Sequence, residues 1–292
     1  MRIGWIGTGV MGLSMAAHLQ ADGHELFVNN RTQAKAGQLV DQGAVWCASP
    51  AEIAAQAEII FSIVGFPRDV EETYLGPRGV LSVDGSCRTI VDMTTSAPAL
   101  AIKIARAAEA QGMASLDAPV SGGDIGARNG TLAIMVGGRA ETFDEVRPLF
   151  ALMGQNIAYM GGHGAGQHTK VCNQILVAGT MIGVCESLLY AAKVGLDEQA
   201  VIDIIGQGAA GSWSINNLGP RIAKGDYKSG FFVEHFVKDM EIALKEARAL
   251  NLSLPGLALV HQLYVALKAH GHGRSCTQAL ILALRKLNGE AG

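Results

Sequence analysis

Residues 2–12 read Arg2-Ile-Gly-Trp-Ile-Gly7-Thr8-Gly9-Val10-Met11-Gly12. A short apolar run, Ile3–Ile6, predicts a strand, and Met11–Ala21 carries a helical pattern. The glycines between them have the spacing G-x-G-x-x-G. The first makes the turn, the second lets backbone approach a pyrophosphate, and the third lets helix pack on strand. The helix N-terminus then attracts phosphate charge. Gly7, Thr8, Gly9, Val10, Met11 and Gly12 are therefore expected to hold a dinucleotide. They also account for part of a compositional excess: 37 of 292 residues are glycine, against an ordinary usage near 7%.

The next apolar run ends Phe27-Val28-Asn29-Asn30-Arg31-Thr32. An NAD site places Asp or Glu about 20 residues after the glycines, to bind the ribose hydroxyls. No carboxylate stands here. Asn30 can bond a ribose hydroxyl, and Arg31 and Thr32 can bond a 2′-phosphate, for which guanidinium offers a planar fork. That favours NADP, with NAD the alternative in which Arg31 is simply a solvated loop cation.

Working outward, further apolar runs occur at Ile59–Val64, Thr89–Val91, Ala114–Leu116 and Ala133–Val136. Helical stretches separate the runs at Gln33–Gln42, Ala51–Ala55 and Pro98–Gln111, with Ser49 and Ser96 where N-caps belong. This alternation predicts an α/β, Rossmann-type doubly wound domain over residues 1–163. After the segment Gly161–Gly166 the strand signal fades. Residues 167–193 form one long helical pattern, uncharged from Val171 to Cys185, too short a stretch to span a bilayer. Helices are expected at 197–206, 236–250, 255–270 and 276–288, with Asp197 and Ser275 as start signals and Asn251 and Gly271 as stops. Residues 164–292 are thus expected to form an all-α domain for substrate binding and oligomerisation.

Composition excludes several classes. Lys and Arg number 23 against 26 Asp and Glu, a net charge of −3, so no basic footprint for nucleic acid exists. The five cysteines are scattered without a C-x-x-C pair and read as reduced thiols. Polar residues and glycines interrupt the uncharged stretches Ile3–Ala21 and Ala249–Leu267, so neither reads as a secretory signal or a membrane span. His270 and His272 lack a carboxylate cluster and read as a polar helix end; no metal is expected. The expectation is a soluble, cytoplasmic protein.

Three further segments carry chemistry. Asp117-Ala-Pro-Val-Ser121-Gly122-Gly123 offers a hydroxyl and backbone N–H groups that can bind a small carboxylate. Gly164-Ala-Gly-Gln-His-Thr-Lys170-Val-Cys-Asn173-Gln174 places Lys170 near a helix start, with Asn173 and Gln174 three and four positions on, sharing its face. A lysine at a cleft can serve as general acid or base, though a lone helix-start lysine is ordinarily solvated. Phe231 to Asp239 includes Lys238-Asp239 at another helix start.

With the opening motif, these segments resemble the β-hydroxyacid dehydrogenase family. That family includes 3-hydroxyisobutyrate dehydrogenases, 2-hydroxy-3-oxopropionate (tartronate semialdehyde) reductases and glyoxylate/succinic semialdehyde reductases. The resemblance spans essentially the whole chain. It implies an NADP(H)-dependent oxidoreductase acting on a small carboxylate-bearing semialdehyde and its β-hydroxyacid. It further implies that Lys170 donates the proton, supported by Asn173, Gln174 and Ser121. Thr95, Ser121, Gly122, Gly123, Lys170, Phe231 and Asp239 would contact substrate, and Val64, Pro67, Thr95 and Lys238 the cofactor. Where glyoxylate-selective relatives carry Ser-Lys-Lys-Pro, this chain has Gly123-Asp124-Ile125-Gly126, nearer the hydroxyisobutyrate and oxopropionate branches. The alternatives are a glyoxylate/succinic semialdehyde reductase or a non-catalytic dinucleotide-binding scaffold. A homodimer or homotetramer is expected.

Overall fold

The computed structural model describes residues 1–228 and 230–290. The chain divides into two compact units, Met1–Lys170 and Val171–Gly292.

The first unit alternates strand and helix. Its elements are β1 (Arg2–Ile6), α1 (Gly12–Ala21), β2 (Glu25–Asn29), α2 (Gly37–Asp41), β3 (Val45–Trp46), α3 (Pro50–Gln56), β4 (Ile59–Ser62), α4 (Pro67–Leu75), β5 (Thr89–Asp92), α5 (Pro98–Glu109), β6 (Ala114–Asp117), β7 (Val120–Ser121), α6 (Gly123–Asn129), β8 (Leu132–Gly138), α7 (Ala140–Ala151) and β9 (Gly154–Gly161). Strands β3-β2-β1-β4-β5-β6 run parallel in that order. The order reverses between β1 and β4, which opens a crevice beyond the carboxyl ends of the strands. β8 runs antiparallel to β6 and β7, and β9 pairs parallel with β8. Parallel strands covered on both faces need apolar residues throughout: β4 is buried along its whole length, and Trp5 of β1 stacks on Phe61 of β4.

The expected strands and most expected helices are present. Ser49 caps α3 by accepting the Glu52 N–H, and Asp197 caps the helix Glu198–Ile205 by accepting the Ala200 N–H. Ser96 is a correction. Pro98 takes the first helical position of α5, which makes Ala97 the cap residue, and no side chain caps it. The Ser96 backbone is engaged elsewhere.

The long helix α8 (Ala165–Lys193) begins in the first unit and continues into the second. By length and composition alone it could cross a membrane, because the apolar stretch extends beyond the uncharged core read from the sequence. However, Ala178, Met181, Val184, Cys185 and Leu188 are buried in the second unit's core, with Phe236, Met240, Tyr264 and Ile281. Its opposite side leaves Cys172, Leu176, Gly179, Gly183 and Tyr190 exposed. The second unit continues with α9 (Glu198–Ile205), α10 (Trp213–Ala223), α11 (Val233–Ala249), α12 (Pro255–Leu267) and α13 (Leu280–Leu287). Ser275 does not start a helix. A 3-10 turn at Thr277–Ala279 follows Cys276, which bridges Phe232, and α13 begins only at Leu280.

Candidate active site

The three fingerprint glycines meet different constraints. Gly7 has φ +99, and a Cβ there would lie 2.1 Å from the Ile63 carbonyl oxygen. A Cβ on Gly12 would lie 2.1 Å from the Gly7 oxygen. Both glycines are demanded by the protein itself. Around Gly9, by contrast, a Cβ would meet nothing within 4 Å. The protein leaves that space open, which is what close approach by a ligand requires. Beside it, Thr8 is buried, and its hydroxyl has no hydrogen-bond partner among the described residues. An unpartnered buried hydroxyl is costly, and a pyrophosphate oxygen would satisfy it. Val10 is exposed and Met11 half-buried at the start of α1. These features fit a dinucleotide.

Asn30 holds the loops that flank this turn. Its side-chain oxygen accepts the Thr8 N–H at 3.0 Å, and its amide nitrogen donates to the Thr32 carbonyl at 2.8 Å. Arg31 is 88% exposed along its side chain and lies 3.9 Å from Asp69. A pair so exposed is worth little in itself, so the guanidinium is available to a ligand. Thr32 is exposed as well.

At the ends of β4 and β5 lies a buried polar chain. The Val64 N–H donates to Thr94 Oγ1, which joins the two strand ends. Tyr74 donates to Ser62 Oγ, 2.7 Å away, and Ser62 donates to Asp92 Oδ1, which also accepts the Thr94 N–H. Burial pushes the Asp92 carboxyl up to about 6, against the hydrogen bonds from Thr94 and Ser62. The ionised form is therefore disfavoured in the fold. Stability from this group is complete below about pH 4 and is lost as pH rises through 6, roughly 3 kcal/mol in all. Asp92→Asn keeps an oxygen for Ser62 and Thr94 and cannot ionise. Urea titrations should show the variant gaining on the wild type by about that amount between pH 4 and pH 7; parallel profiles would refute the buried-acid assignment.

Asp117, paired in register with Asp92 on the neighbouring strand, meets the start of α8. Its two oxygens accept the Gly164 N–H at 2.7 Å and the Gln167 N–H at 2.9 Å. Burial raises this carboxyl too, and the two N–H groups oppose that rise. Gln167 donates to the Thr94 carbonyl at 2.7 Å and accepts the Ser96 N–H at 2.9 Å. One turn further along α8 is Lys170, 6% exposed and hence no solvated helix-start lysine. Ser121, half-buried, ends β7, where the chain continues beyond the carboxyl end of β6. Gly122 and Gly123 follow with φ +130 and +62, a turn that side chains disfavour. Val64, Pro67 and Thr95 are half-buried at the same edge of the sheet. The carboxyl ends of the parallel strands β1, β2, β4 and β5 thus carry the cofactor candidates of the first unit and Thr95, while Ser121, Gly122 and Gly123 follow β7 and Lys170 lies on α8.

In the second unit the sequence left the roles of Asn173 and Gln174 open. Gln174 is buried and donates to Asp239 Oδ2 at 2.5 Å. Its oxygen accepts from the Asn173 amide nitrogen at 2.7 Å. Lys238, also buried, lies 3.0 Å from Asp239 Oδ1. Gln174 is thus a link between Asn173 and a buried ion pair. Because the Asn173 nitrogen is the atom donated to Gln174, its oxygen is the acceptor left to present elsewhere. Phe231 is half-buried and packs its ring on Phe236 at 5.3 Å.

Sequence reasoning did not assign Gln167, Asp117, Asp92, Ser62 or Tyr74. A carboxylate ending an apolar strand, as Asp92 and Asp117 do, was the available signal.

Comparison with known proteins agrees along the chain. Residues 2–161 match the NAD-binding domain of 6-phosphogluconate dehydrogenase. Residues 164–284 match the NAD-binding domain of NADP-dependent 3-hydroxyisobutyrate dehydrogenase. A probable mitochondrial 3-hydroxyisobutyrate dehydrogenase-like protein of Arabidopsis thaliana is 51% identical over 98% of this chain and 86% of its own. The 2-hydroxy-3-oxopropionate reductase of Escherichia coli is 40% identical over 97% of each. A solved structure of Psf3 in complex with NADP+ and 2-OPP superposes with a TM-score of 0.88 at 26% identity, covering 97% of this chain and 99% of that one. With both halves matched and relatives aligned almost end to end, the chain belongs to the β-hydroxyacid dehydrogenase family of nicotinamide-dependent oxidoreductases.

Proposed function

We propose that the protein interconverts a small carboxylate-bearing semialdehyde and its β-hydroxyacid with NADP(H), as a 2-hydroxy-3-oxopropionate reductase or 3-hydroxyisobutyrate dehydrogenase would. The observation that carries this reading is the buried Lys170, one turn beyond a helix start that buried hydrogen bonds seat on the strand ends. When bound, the nicotinamide supplies or accepts the hydride. In the reduction direction Lys170 Nζ gives its proton to the carbonyl oxygen as charge develops there, and takes it back in oxidation. Ser121 and the Gly122–Gly123 turn hold the substrate carboxylate, with Thr95 at the neighbouring strand end; Phe231 and Asp239 are the substrate contacts assigned to the second unit. Asn173 orients the proton donor through its oxygen, and Gln174 and Asp239 hold Asn173. Lys238 contacts the cofactor.

NADP is favoured over NAD by Arg31 and by the lack of a carboxylate at Asn30. A steady-state panel of semialdehydes and β-hydroxyacids with NADPH and NADH tests the reading. Arg31→Ala should raise the KM for NADPH about tenfold, a loss of some 1.4 kcal/mol, and leave NADH kinetics unchanged. A wild type that prefers NADH would refute the cofactor assignment. The Gly123–Gly126 segment supports the oxopropionate and hydroxyisobutyrate substrates over glyoxylate and succinic semialdehyde. A cytoplasmic location, with neither membrane nor nucleic acid as partner and no metal, completes the proposal. The exposed apolar side of α8, with Leu176 71% and Tyr190 69% accessible, supports a homodimer or homotetramer. Light scattering that gave a single-chain mass would refute that assembly.

A further inference from the structure

At the start of α8 the chain hides an amide where an apolar side chain would be cheaper to bury. Gln167 is 1% exposed. Taking an amide out of water is unfavourable unless both ends find partners. Here both do, and the partners belong to one short loop: the Thr94 carbonyl and the Ser96 N–H. Thr95, proposed above to contact nicotinamide and substrate, lies between them. The Gln167 backbone N–H is held by Asp117, which also takes the Gly164 N–H. Gln167 is therefore fixed at main chain and side chain, to two different strands.

Helix capping alone does not explain this. Asp117 already satisfies two N–H groups at the start of α8. The Gln167 side chain adds nothing to the cap; it reaches away to the end of β5. That loop is itself held from beneath, because Asp92 accepts the Thr94 N–H. Nor can the helix start be moved without consequence. A Cβ on Gly166 would lie 2.4 Å from the carbonyl oxygens of both Asp117 and Met135. Helix and strands touch backbone to backbone at that point.

We propose that Gln167, seated by Asp117, is a positioning residue for Lys170: it ties the first turn of α8 to the Thr94–Ser96 strand end and so fixes the proton donor relative to the reacting carbonyl. The inference rests on the reading of Lys170 as acid/base. Lys170 is one helical turn from Gln167, about 4.5 Å along the axis. A displacement near 1 Å at a reacting group can reduce rate about a hundredfold. Losing both amide hydrogen bonds lets the turn shift on that scale.

The test is Gln167→Met, similar in length and without hydrogen bonds, in the full chain with NADPH and the best substrate of the panel. We expect kcat to fall about 10- to 100-fold, with the NADPH Kd from fluorescence titration within twofold and the pH profile of kcat displaced. In a Lys170→Met background the second substitution should reduce the residual rate no further, because the two act as one unit. Gln167→Glu keeps the acceptor for Ser96 but not the donor to Thr94, and should fall between wild type and Gln167→Met. It carries the same test if Gln167→Met does not fold. An unaltered kcat and pH profile in Gln167→Met, beside an inactive Lys170→Met, would overturn the positioning role and leave the acid/base reading standing. Loss of thermal stability with activity falling in proportion to folded protein, and an unmoved pH profile, would reduce Gln167 to a structural residue and overturn the inference as well. Activity retained by Lys170→Met would sink the acid/base reading itself, and the inference with it.

Discussion

Lys170→Met should lower kcat/KM by about a thousandfold or more while NADPH still binds with a Kd within twofold of wild type. General acid–base catalysis by a positioned side chain contributes about 10²- to 10⁴-fold, and without Lys170 the alkoxide formed by hydride arrival has no assigned donor. The phosphates of the dinucleotide are assigned to residues far from Lys170 in sequence: the Gly7–Gly12 turn and Arg31. Methionine removes the buried ammonium without opening a cavity, since the two side chains are of similar length. The kinetic pattern separates two roles. If Lys170 only attracted the substrate carboxylate, KM would rise with kcat retained, and Lys170→Arg would restore much of the loss. An acid/base role predicts that Lys170→Arg stays inactive, because guanidinium keeps its proton throughout the accessible pH range. Wild-type-like turnover by Lys170→Met would refute the mechanism.

How much of this was legible in the sequence depends on the distance over which each feature is written. The Gly7–Gly12 turn is local, and so are the buried parallel strands, whose apolar runs are continuous because both faces are covered. β9 was not legible. It is an outer strand, mostly exposed, reading Gly-Gln-Asn-Ile-Ala-Tyr-Met-Gly, with one β-branched residue. α7 and α10 each contain a proline, Pro148 and Pro220, which argues against a helix when read alone. Both helices are held by one buried face instead. The site divides in the same way. Lys170, Asn173 and Gln174 share a local motif, but Gln174's commitment to Asp239 spans 65 positions and Gln167's to Thr94 spans 73. No spacing rule connects such residues; only the folded chain does. Ser96 shows the converse. Its placement before a proline suggested a cap, and the tertiary structure uses its backbone for Gln167 instead.

The fingerprint glycines separate what the fold requires from what the ligand requires. Gly12→Ala should lower thermal stability by several degrees, since its Cβ would press 2.1 Å from the Gly7 oxygen and 2.7 Å from Ile63 Cγ2. Overpacking against backbone that cannot retreat costs about 1–3 kcal/mol and at times more, and a fold of this size loses about 2–4 °C per kcal/mol. Gly9→Ala should leave stability intact and weaken cofactor binding instead. Its φ lies outside the positive range, and its Cβ would meet open space, so alanine fits the fold and lowers the conformational entropy of the unfolded chain. Stability should hold within about 0.5 kcal/mol. The open space, however, is where a pyrophosphate must approach the backbone, so the NADPH Kd should rise about tenfold or more, at least some 1.4 kcal/mol. Differential scanning calorimetry and NADPH titration on the two variants read both quantities. A Gly9→Ala protein that is stable and binds NADPH like the wild type would show that nothing approaches this glycine, and the dinucleotide would have to be placed elsewhere. Equal destabilisation of both variants would show that the turn is constrained by packing throughout, leaving Thr8 and Asn30 to carry the cofactor assignment alone.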